Sequence, residues 1–396
     1  MTSSKKILII LGLVFISFNL RAPITSVGSI VNLIQEDLQI SSSIAGFITT
    51  LPLIAFAVFS PFVSKISNIY GPGLTMLSGL ILIIIGEFTR SYTNLLGLFI
   101  GTSLIGIGIS IGNVLIPSII KLRFPGNVGI MSSVYTTSMG IFAAIGSGIS
   151  VPLAKGLSLG WRNTLAVYIV LAVITIFVWL PQVNINKMSI KEISKEDIST
   201  PTPSRSIFKS KLAWSVTSFM GIQSLLYYSL VAWLPTIVMS KGMSPNFAGI
   251  MALLMQLASI VATLLIPIIA DRYNDQRIIT TISSSTYLVG IILLLFGNTQ
   301  IIFILSIICI GLGVGGSISL AITFISLRCE NAKRAAELSG MSQSVGYLFA
   351  SFAPMLFGYI FDITLSWTIP LLLFIITNIF LIIFGLKAGK NQLIEE

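Results

Sequence analysis

The chain has 396 residues, of which 55% are hydrophobic and only 9% are charged, and its net charge is +10. Soluble domains carry about 25% charged residues, so this composition excludes a protein built from soluble domains. Histidine is absent from the sequence, which removes the commonest ligand of metal sites. The sequence therefore predicts neither a bound metal nor a cofactor.

Twelve apolar stretches alternate with short polar connections along the chain. A hydrocarbon core of about 30 Å is crossed by a helix of about 20 residues, and each stretch approaches or exceeds that length. They cover residues 7–31, 44–63, 74–88, 95–120, 128–153, 161–180, 212–239, 247–270, 278–296, 301–327, 335–361 and 367–386. The sequence thus predicts an all-α integral membrane protein with twelve transmembrane helices, surrounded by the lipid bilayer.

The basic residues are distributed unequally between the two sides of these spans. Eighteen of the 23 Lys and Arg residues fall on the side of the N-terminus, four fall on the other side, and Arg21 lies within the first span. Because Lys and Arg accumulate in cytoplasmic loops, we expect both termini in the cytoplasm and no nucleic-acid partner for the net positive charge. The Ile-rich and Lys-rich composition is compatible with a bacterial plasma membrane.

An internal repeat divides the spans into two sets of six. Shifts of 205 or 206 residues align Gly108 with Gly313, Arg123 with Arg328, and Trp161 with Trp367. The shift crosses an even number of helices, so the two halves are parallel repeats. The predicted domains are an N-terminal six-helix bundle (residues 1–182), a cytoplasmic linker (183–210) and a C-terminal six-helix bundle (211–396).

Two sets of six spans, joined by a long polar loop that is predicted to be cytoplasmic, resemble the plan of the major facilitator superfamily over the whole chain. That family has a loop motif with glycine and charged residues. After the second span the motif is incomplete, with only Lys65 and Gly71 present. After the eighth span it matches better, at Asp271, Arg272 and Arg277. We assign these five residues to a gating loop motif. The strings FNLRAPITSVG and ITTLPLIAFAVFSP are similar to the cyanate and 2-nitroimidazole transporter branch. The resemblance implies a monomeric secondary transporter of a small solute that works by alternating access.

Arg21 is the most informative residue, because a charge near the bilayer centre costs roughly 2.5 to 3.5 kcal/mol. Thr25, Gly28 and Asn32 follow it at helical spacings, which predicts one polar or small face. The planar guanidinium suits carboxylates and similar anions, and no carboxylate is predicted at mid-membrane to neutralise it. We therefore expect Arg21 to bind an anionic substrate; the alternative is a structural strut that contacts backbone carbonyls.

Further polar residues occur at helical spacings on other spans, and the resemblance implies that they surround the central cavity with Arg21. Each could instead form an interhelical hydrogen bond, worth about 0.6 kcal/mol on average. With Arg21 and Thr25, the candidate substrate-binding residues are Asn113, Tyr135, Gln223, Tyr227, Gln256, Gln343 and Tyr347.

Glu87, near the predicted outer end of the third span, is the only carboxylate that the sequence offers for proton coupling; a coupled proton would enter through Glu87 or together with the substrate. Its alternative role is an ion pair with Arg90 at the outer surface. We find no cluster of nucleophile, base and orienting group, so no enzyme is predicted. A multidrug or metabolite exporter of the same superfamily, with a structural Arg21, remains the alternative function.

Overall fold

The computed structural model describes residues 3–40, 42–199 and 206–394, and its long elements are α-helices. They are α1 (Ser3–Asn19), α2 (Ala22–Leu38), α3 (Ser42–Tyr70), α4 (Pro72–Tyr92), α5 (Leu95–Arg123), α6 (Val128–Val151), α7 (Gly160–Ser199), α8 (Lys211–Ser240), α9 (Pro245–Asp271), α10 (Arg277–Phe296), α11 (Gln300–Leu327), α12 (Ala332–Thr364) and α13 (Thr368–Ala388). Short helical turns lie at Pro125–Asn127, Pro152–Gly156 and Ile207–Lys209.

Within the described residues, 12 segments are long and apolar enough to cross a membrane. Helices α1 and α2 together form the first of them, Lys6–Val31, and each later helix contributes one. The predicted all-α architecture with twelve spans is therefore confirmed.

The first span is not the continuous helix that its apolar pattern predicts. Helix α1 ends at Asn19 and α2 begins at Ala22, and Arg21 between them has φ −130° and ψ −42°. Pro23 follows in the first turn of α2, where a residue without an N–H group is tolerated because no intrahelical acceptor awaits it. The helix restarts with the Thr25 N–H bonded to the Arg21 carbonyl at 3.0 Å. Arg21 therefore lies at a break inside the membrane span.

Helix α7 extends beyond the predicted end of the sixth span. It continues to Ser199, so the predicted linker over 183–210 is helical in its first part rather than a loop. Residues 182–200 contain neither Gly nor Pro, and Pro201 follows; Lys and Glu, which recur here, are good helix formers. Residues 200–205 of the predicted linker lie outside the described residues.

The described residues group into two compact units. The first is formed within Met1–Ile119 and Ser138–Arg205, and the second within Ile120–Thr137 and Ser206–Glu396. In the second unit the start of α6 packs on α9, where the Ser133 hydroxyl donates to the Leu264 carbonyl at 2.5 Å.

The internal repeat is visible in how each unit packs its helices. A Cβ added at Gly108 of α5 would lie 2.5 Å from the Gly79 carbonyl of α4. Gly313 of α11, its partner in the repeat, approaches Tyr287 of α10 so closely that a Cβ would overlap that residue. Small residues allow such close approach of membrane helices. The same alignment found in the sequence thus recurs as an equivalent helix contact.

We expect Gly108→Ala and Gly313→Ala each to destabilise the protein by about 1 to 3 kcal/mol, because the added methyl group overpacks a filled interface. Gly148→Ala is the matched control, since its Cβ would meet nothing within 4 Å. Equilibrium unfolding in mixed micelles measures the three effects. Equal effects at all three positions would contradict the packing account.

Candidate functional site

Arg21 is buried, with 8% of its surface exposed, and it is the N-cap residue of α2. The N-terminal end of a helix carries a partial positive charge. In α2 the N–H groups of Ile24 and Thr25 bond to the Arg21 carbonyl and Pro23 has no N–H group, so the guanidinium is the donor that this end can offer. A guanidinium at such an end, within a membrane span, concentrates positive charge where water is scarce. This arrangement favours an anion.

Thr25 ties the start of α2 to α6. Its hydroxyl lies 3.0 Å from the Ala143 carbonyl and 3.2 Å from the Arg21 carbonyl. A Cβ at Gly146 would come within 3.0 Å of Ala22, so Gly146 permits this approach. Thr25 therefore fixes the direction in which the chain leaves the break.

The polar face predicted beyond Thr25 is interrupted. Gly28 is exposed, with open space where its Cβ would be. Ile30, however, has a non-helical φ of −120° and ψ of 15°. Position 32 consequently does not follow Arg21 by simple helical spacing, and the side chain of Asn32 lies outside the described residues.

A buried ion pair holds the backbone at the break. The Arg90 Nη2 and Glu87 Oε2 atoms, on adjacent turns of α4, are 2.5 Å apart, and both side chains are almost fully buried. The Arg90 Nη1 group donates to the Pro23 carbonyl at 2.8 Å. We call these three residues the Pro23 clamp. The clamp links α4 directly to the first turn of α2, beside Arg21.

The prediction that Arg90 lies in an outer connection, and that Glu87 pairs with it at the surface, is wrong about burial. Helix α4 runs to Tyr92, four residues beyond the predicted end at 88. Charged residues normally mark the end of a span, but here they pair i to i+3 inside it. Arg90 is thus a second buried guanidinium that the sequence analysis assigned to a loop.

In the second unit, α8 and α12 bring together four of the candidate residues. A Cβ at Gly221 would lie 3.2 Å from Gly346, and the Thr217 and Ser342 hydroxyls are 3.1 Å apart. The Tyr228 and Tyr347 rings meet edge to face, with centroids 6.1 Å apart. Tyr228, which the sequence analysis did not select, therefore joins Gln223, Tyr227, Gln343 and Tyr347 on this helix pair.

The amide side chains on these helices differ in hydrogen bonding. Gln223 is buried and donates to the Ser224 hydroxyl at 2.7 Å. The buried Oε1 atom of Gln343 has no donor within the described part of the chain. An unbonded buried acceptor costs roughly 1 to 3 kcal/mol, so Gln343 is the amide best prepared to bind an added donor. Gln256 of α9 is half-buried.

Two further candidates are buried in different units. Asn113 lies on α5 in the first unit, and Tyr135 lies on α6 in the part that belongs to the second unit. Next to Tyr135, the Thr136 hydroxyl is 3.3 Å from the Thr263 carbonyl of α9.

The predicted gating motif falls at helix ends. Lys65 is exposed near the end of α3, and Gly71, with φ 87°, precedes α4 in a conformation that favours glycine. In the second unit, Asp271 ends α9, Arg272 follows it, and Arg277 begins α10. These positions agree with loop residues; their part in gating stays a prediction.

Arg277 is engaged by a neighbour outside the predicted motif. Its Nη2 atom lies 2.8 Å from the Asp275 carboxylate. Hydrogen bonds from Arg277 lower the pKa of Asp275 below its usual value. Both side chains are largely exposed, so this pair adds little stability.

A buried basic residue near this loop was also not selected from the sequence. Arg328 donates from Nε to the Ala388 carbonyl at 2.8 Å and from Nη2 to the Gln276 side chain and the Gly389 carbonyl. Burial lowers its pKa to about 10. The alignment of Arg123 with Arg328 was the available signal. Arg328 joins the ends of α11 and α13 to the loop before α10.

Comparison with known proteins identifies the family. The model of the Major Facilitator Superfamily matches residues 7–354, so the chain belongs to that superfamily. An uncharacterized transporter, YycB of Bacillus subtilis (strain 168), is 46% identical over 98% of this chain and 95% of its own length.

Two further relatives carry substrate names. The 2-nitroimidazole transporter of Escherichia coli (strain K12) is 36% identical over 99% of this chain and 98% of its own length. The cyanate transport protein CynX of the same organism is 27% identical over 90% of each chain. The branch suggested by the first-span sequence is therefore confirmed as a similarity.

The fold is also that of solved members. The proton:xylose symporter XylE superimposes with a TM-score of 0.78, covering 100% of this chain and 99% of the symporter at 15% identity. The chain is thus a membrane transporter of the major facilitator fold.

We expect Glu87→Gln to destabilise the protein by about 3 to 5 kcal/mol, because it leaves the buried Arg90 charge without its counter-ion. Asp275→Asn, which removes the charge of an exposed pair, is the control and should cost less than about 1 kcal/mol. The double variant Glu87→Leu/Arg90→Met should be less damaged than Glu87→Gln. Equal stabilities of the two single variants, measured by unfolding in mixed micelles, would refute the clamp.

Proposed function

We propose that this transporter is a secondary carrier that moves a small anionic solute across the bacterial plasma membrane by alternating access, with Arg21 as its anion-binding group. The observation that supports it is the buried guanidinium at the N-terminal end of α2, at a break within the first span. Discontinuous helices in secondary transporters use such ends to bind anionic groups.

The chemistry of Arg21 favours a planar anion. Its guanidinium stays charged at any physiological pH and offers two parallel donors to two oxygen atoms. Cyanate, named for one relative, is a linear anion that accepts through one terminal atom, and the nitro group of 2-nitroimidazole, named for another, presents two oxygens in one plane. The charge of the guanidinium suits the first ligand, and its two parallel donors suit the second.

The neutral candidates complete the proposed set of substrate contacts. Their side chains donate and accept without adding charge, which suits a small polar solute. They are Thr25, Asn113, Tyr135, Gln223, Tyr227, Gln256, Gln343 and Tyr347. The proposal further includes a monomer with both termini in the cytoplasm and gating through the loop motifs.

We expect Arg21→Gln to lower uptake of cyanate or 2-nitroimidazole into proteoliposomes by tenfold to a hundredfold, since hydrogen bonds to a charged group contribute roughly 1.5 to 3 kcal/mol. Arg21→Lys should retain part of the activity, because lysine keeps the positive charge but lacks the two parallel N–H donors of the guanidinium. Arg162→Gln, at a half-buried arginine that pairs with Asp37, is the control for loss of an arginine outside the proposed site.

Normal uptake by Arg21→Gln would sink the anion proposal and make Arg21 a structural strut. Loss of stability together with loss of uptake would also favour the strut, so unfolding is measured on the same preparations. Uptake of lipophilic cations by wild-type protein and Arg21→Gln alike would favour the exporter.

Glu87 is the proposed entry point of a coupling proton. Its Oε1 atom is buried and has no donor among the described residues, so it is a position that a proton can occupy. We expect Glu87→Gln to lose accumulation driven by a pH gradient while counterflow, which needs no net proton movement, persists. Gradient-driven accumulation that survives in Glu87→Gln would remove this carboxyl from the mechanism.

A further inference from the structure

A small polar cavity lies in the second unit, apart from every residue discussed above as a substrate contact. It has a volume of ≈240 Å³, and it forms where α8, α10 and α12 end and α13 begins. Its polar lining includes Ser240, Lys241, Ser366, Trp367 and Thr368. This end of the unit is opposite the loop that carries Arg272.

The cavity is lined by donors that lack an anionic partner. The Lys241 Nζ group donates to the Leu295 carbonyl at 2.5 Å, and no carboxylate of the described chain lies within ion-pair distance of it. Trp367 is only 4% exposed, yet its Nε1–H group has no acceptor among the described residues. Leaving a buried donor unbonded costs roughly 1 to 3 kcal/mol, so the indole is prepared for an added acceptor.

The position of Trp367 is fixed by its neighbours. Its ring stacks on Phe361 with centroids 4.5 Å apart and contacts Trp233 at 5.3 Å. It is also the N-cap residue of α13 and makes no side-chain cap, so the positive end of that helix lies at the same cavity. Three features that favour negative charge therefore meet there.

The first repeat shows what occupies the corresponding place. Trp161, which the repeat aligns with Trp367, begins α7, and its Nε1–H donates to the Asp37 carboxylate at 3.0 Å. Arg162 pairs with the same carboxylate at 3.4 Å. Asp37 lies in the last turn of α2, and Lys241 directly follows the last residue of α8 at the corresponding end of the second repeat. The second repeat thus keeps the tryptophan, but the charged residue beside it in the cavity is a lysine rather than a carboxylate.

We propose that this cavity binds a small carboxylate from solution, which accepts from Trp367 Nε1–H and lies against the Lys241 ammonium. The carboxylate would supply in the second unit the group that Asp37 supplies in the first. The cavity volume suits an anion with few heavy atoms, and the adjoining rings suit an apolar substituent. The site is separate from Arg21, so it does not depend on the proposed function.

The test uses purified full-length protein in a nonionic detergent, with acetate and benzoate as probes at constant ionic strength. Because Arg21 is itself a proposed anion-binding group, all variants are made in the Arg21→Gln background, and we expect the probes to raise the melting temperature of Arg21→Gln. The apparent affinity should fall at least tenfold in Lys241→Met and in Trp367→Phe. The matched controls Lys155→Met, at an exposed lysine, and Trp161→Phe, whose indole already has its acceptor, should bind as Arg21→Gln alone does.

A second measurement uses only the wild-type protein, so it does not depend on whether the variants fold. Benzoate should slow the reductive methylation of Lys241, followed by mass spectrometry, and leave that of Lys155 unchanged. The proposal is overturned if neither carboxylate stabilises the protein, if stabilisation survives Lys241→Met, or if only phosphatidylglycerol protects Lys241, since that would assign the cavity to a lipid headgroup.

Discussion

The carbonyl oxygen of Pro23 lies in the first turn of α2, just after the break in the first span, and it accepts a hydrogen bond from the buried Arg90 at 2.8 Å. The Ser26 hydroxyl also donates to it, at 3.3 Å. A lone guanidinium at this depth would itself be costly, and Glu87 neutralises it at 2.5 Å. The start of α2, the buried arginine and the buried glutamate are therefore joined by one chain of hydrogen bonds. Removing Glu87 leaves the charge of Arg90 without its counter-ion, and removing Arg90 leaves the buried Glu87 carboxylate without its partner.

The position of Arg21 follows from this constraint. Because α1 and α2 are separate helices, Arg21 occupies a helix end rather than the side of a continuous helix, and its charge adds to that of the α2 N-terminus. Thr25 and Gly146 then set the direction of α2 against α6. The chemistry proposed for Arg21 thus depends on contacts made by residues that would never touch a substrate.

The sequence predicted the features that depend on hydropathy and residue size averaged over whole helices. Twelve spans follow from apolar runs, and the repeat follows from glycines such as Gly108 and Gly313, which must be small for the helices to meet. The break could not be predicted this way, because the averaged hydropathy of Lys6–Val31 stays high in spite of Arg21. The clue was local: Pro23 stands two residues after a charge, where it removes an N–H from the helix.

The burial of Arg90 and Arg328 could not be predicted from hydropathy for a related reason. Hydropathy patterns end a span at its first charges, so Arg90 was assigned to a loop, whereas i to i+3 pairing lets Glu87 and Arg90 stay within α4. Arg328 likewise reads as a loop residue, although backbone carbonyls at Ala388 and Gly389 surround it. Which polar side chains find partners is decided by contacts between distant segments, and a single sequence does not display these.

The two repeats preserve helix packing and differ in polar chemistry. Helix α8, the counterpart of the first span, runs unbroken from Lys211 to Ser240, and it has no Pro at the place that corresponds to Pro23. Helix α8 therefore has no restart at this position for an arginine to contact, as Arg90 contacts the start of α2. The two units also differ beside the tryptophans that the repeat aligns. The first unit has a carboxylate there, at Asp37, whereas the second has Lys241. The two repeats thus share close helix contacts at Gly108 and Gly313, whereas their polar side chains differ: Asp37 accepts from Trp161 in the first unit, and Lys241 lies near Trp367 in the second.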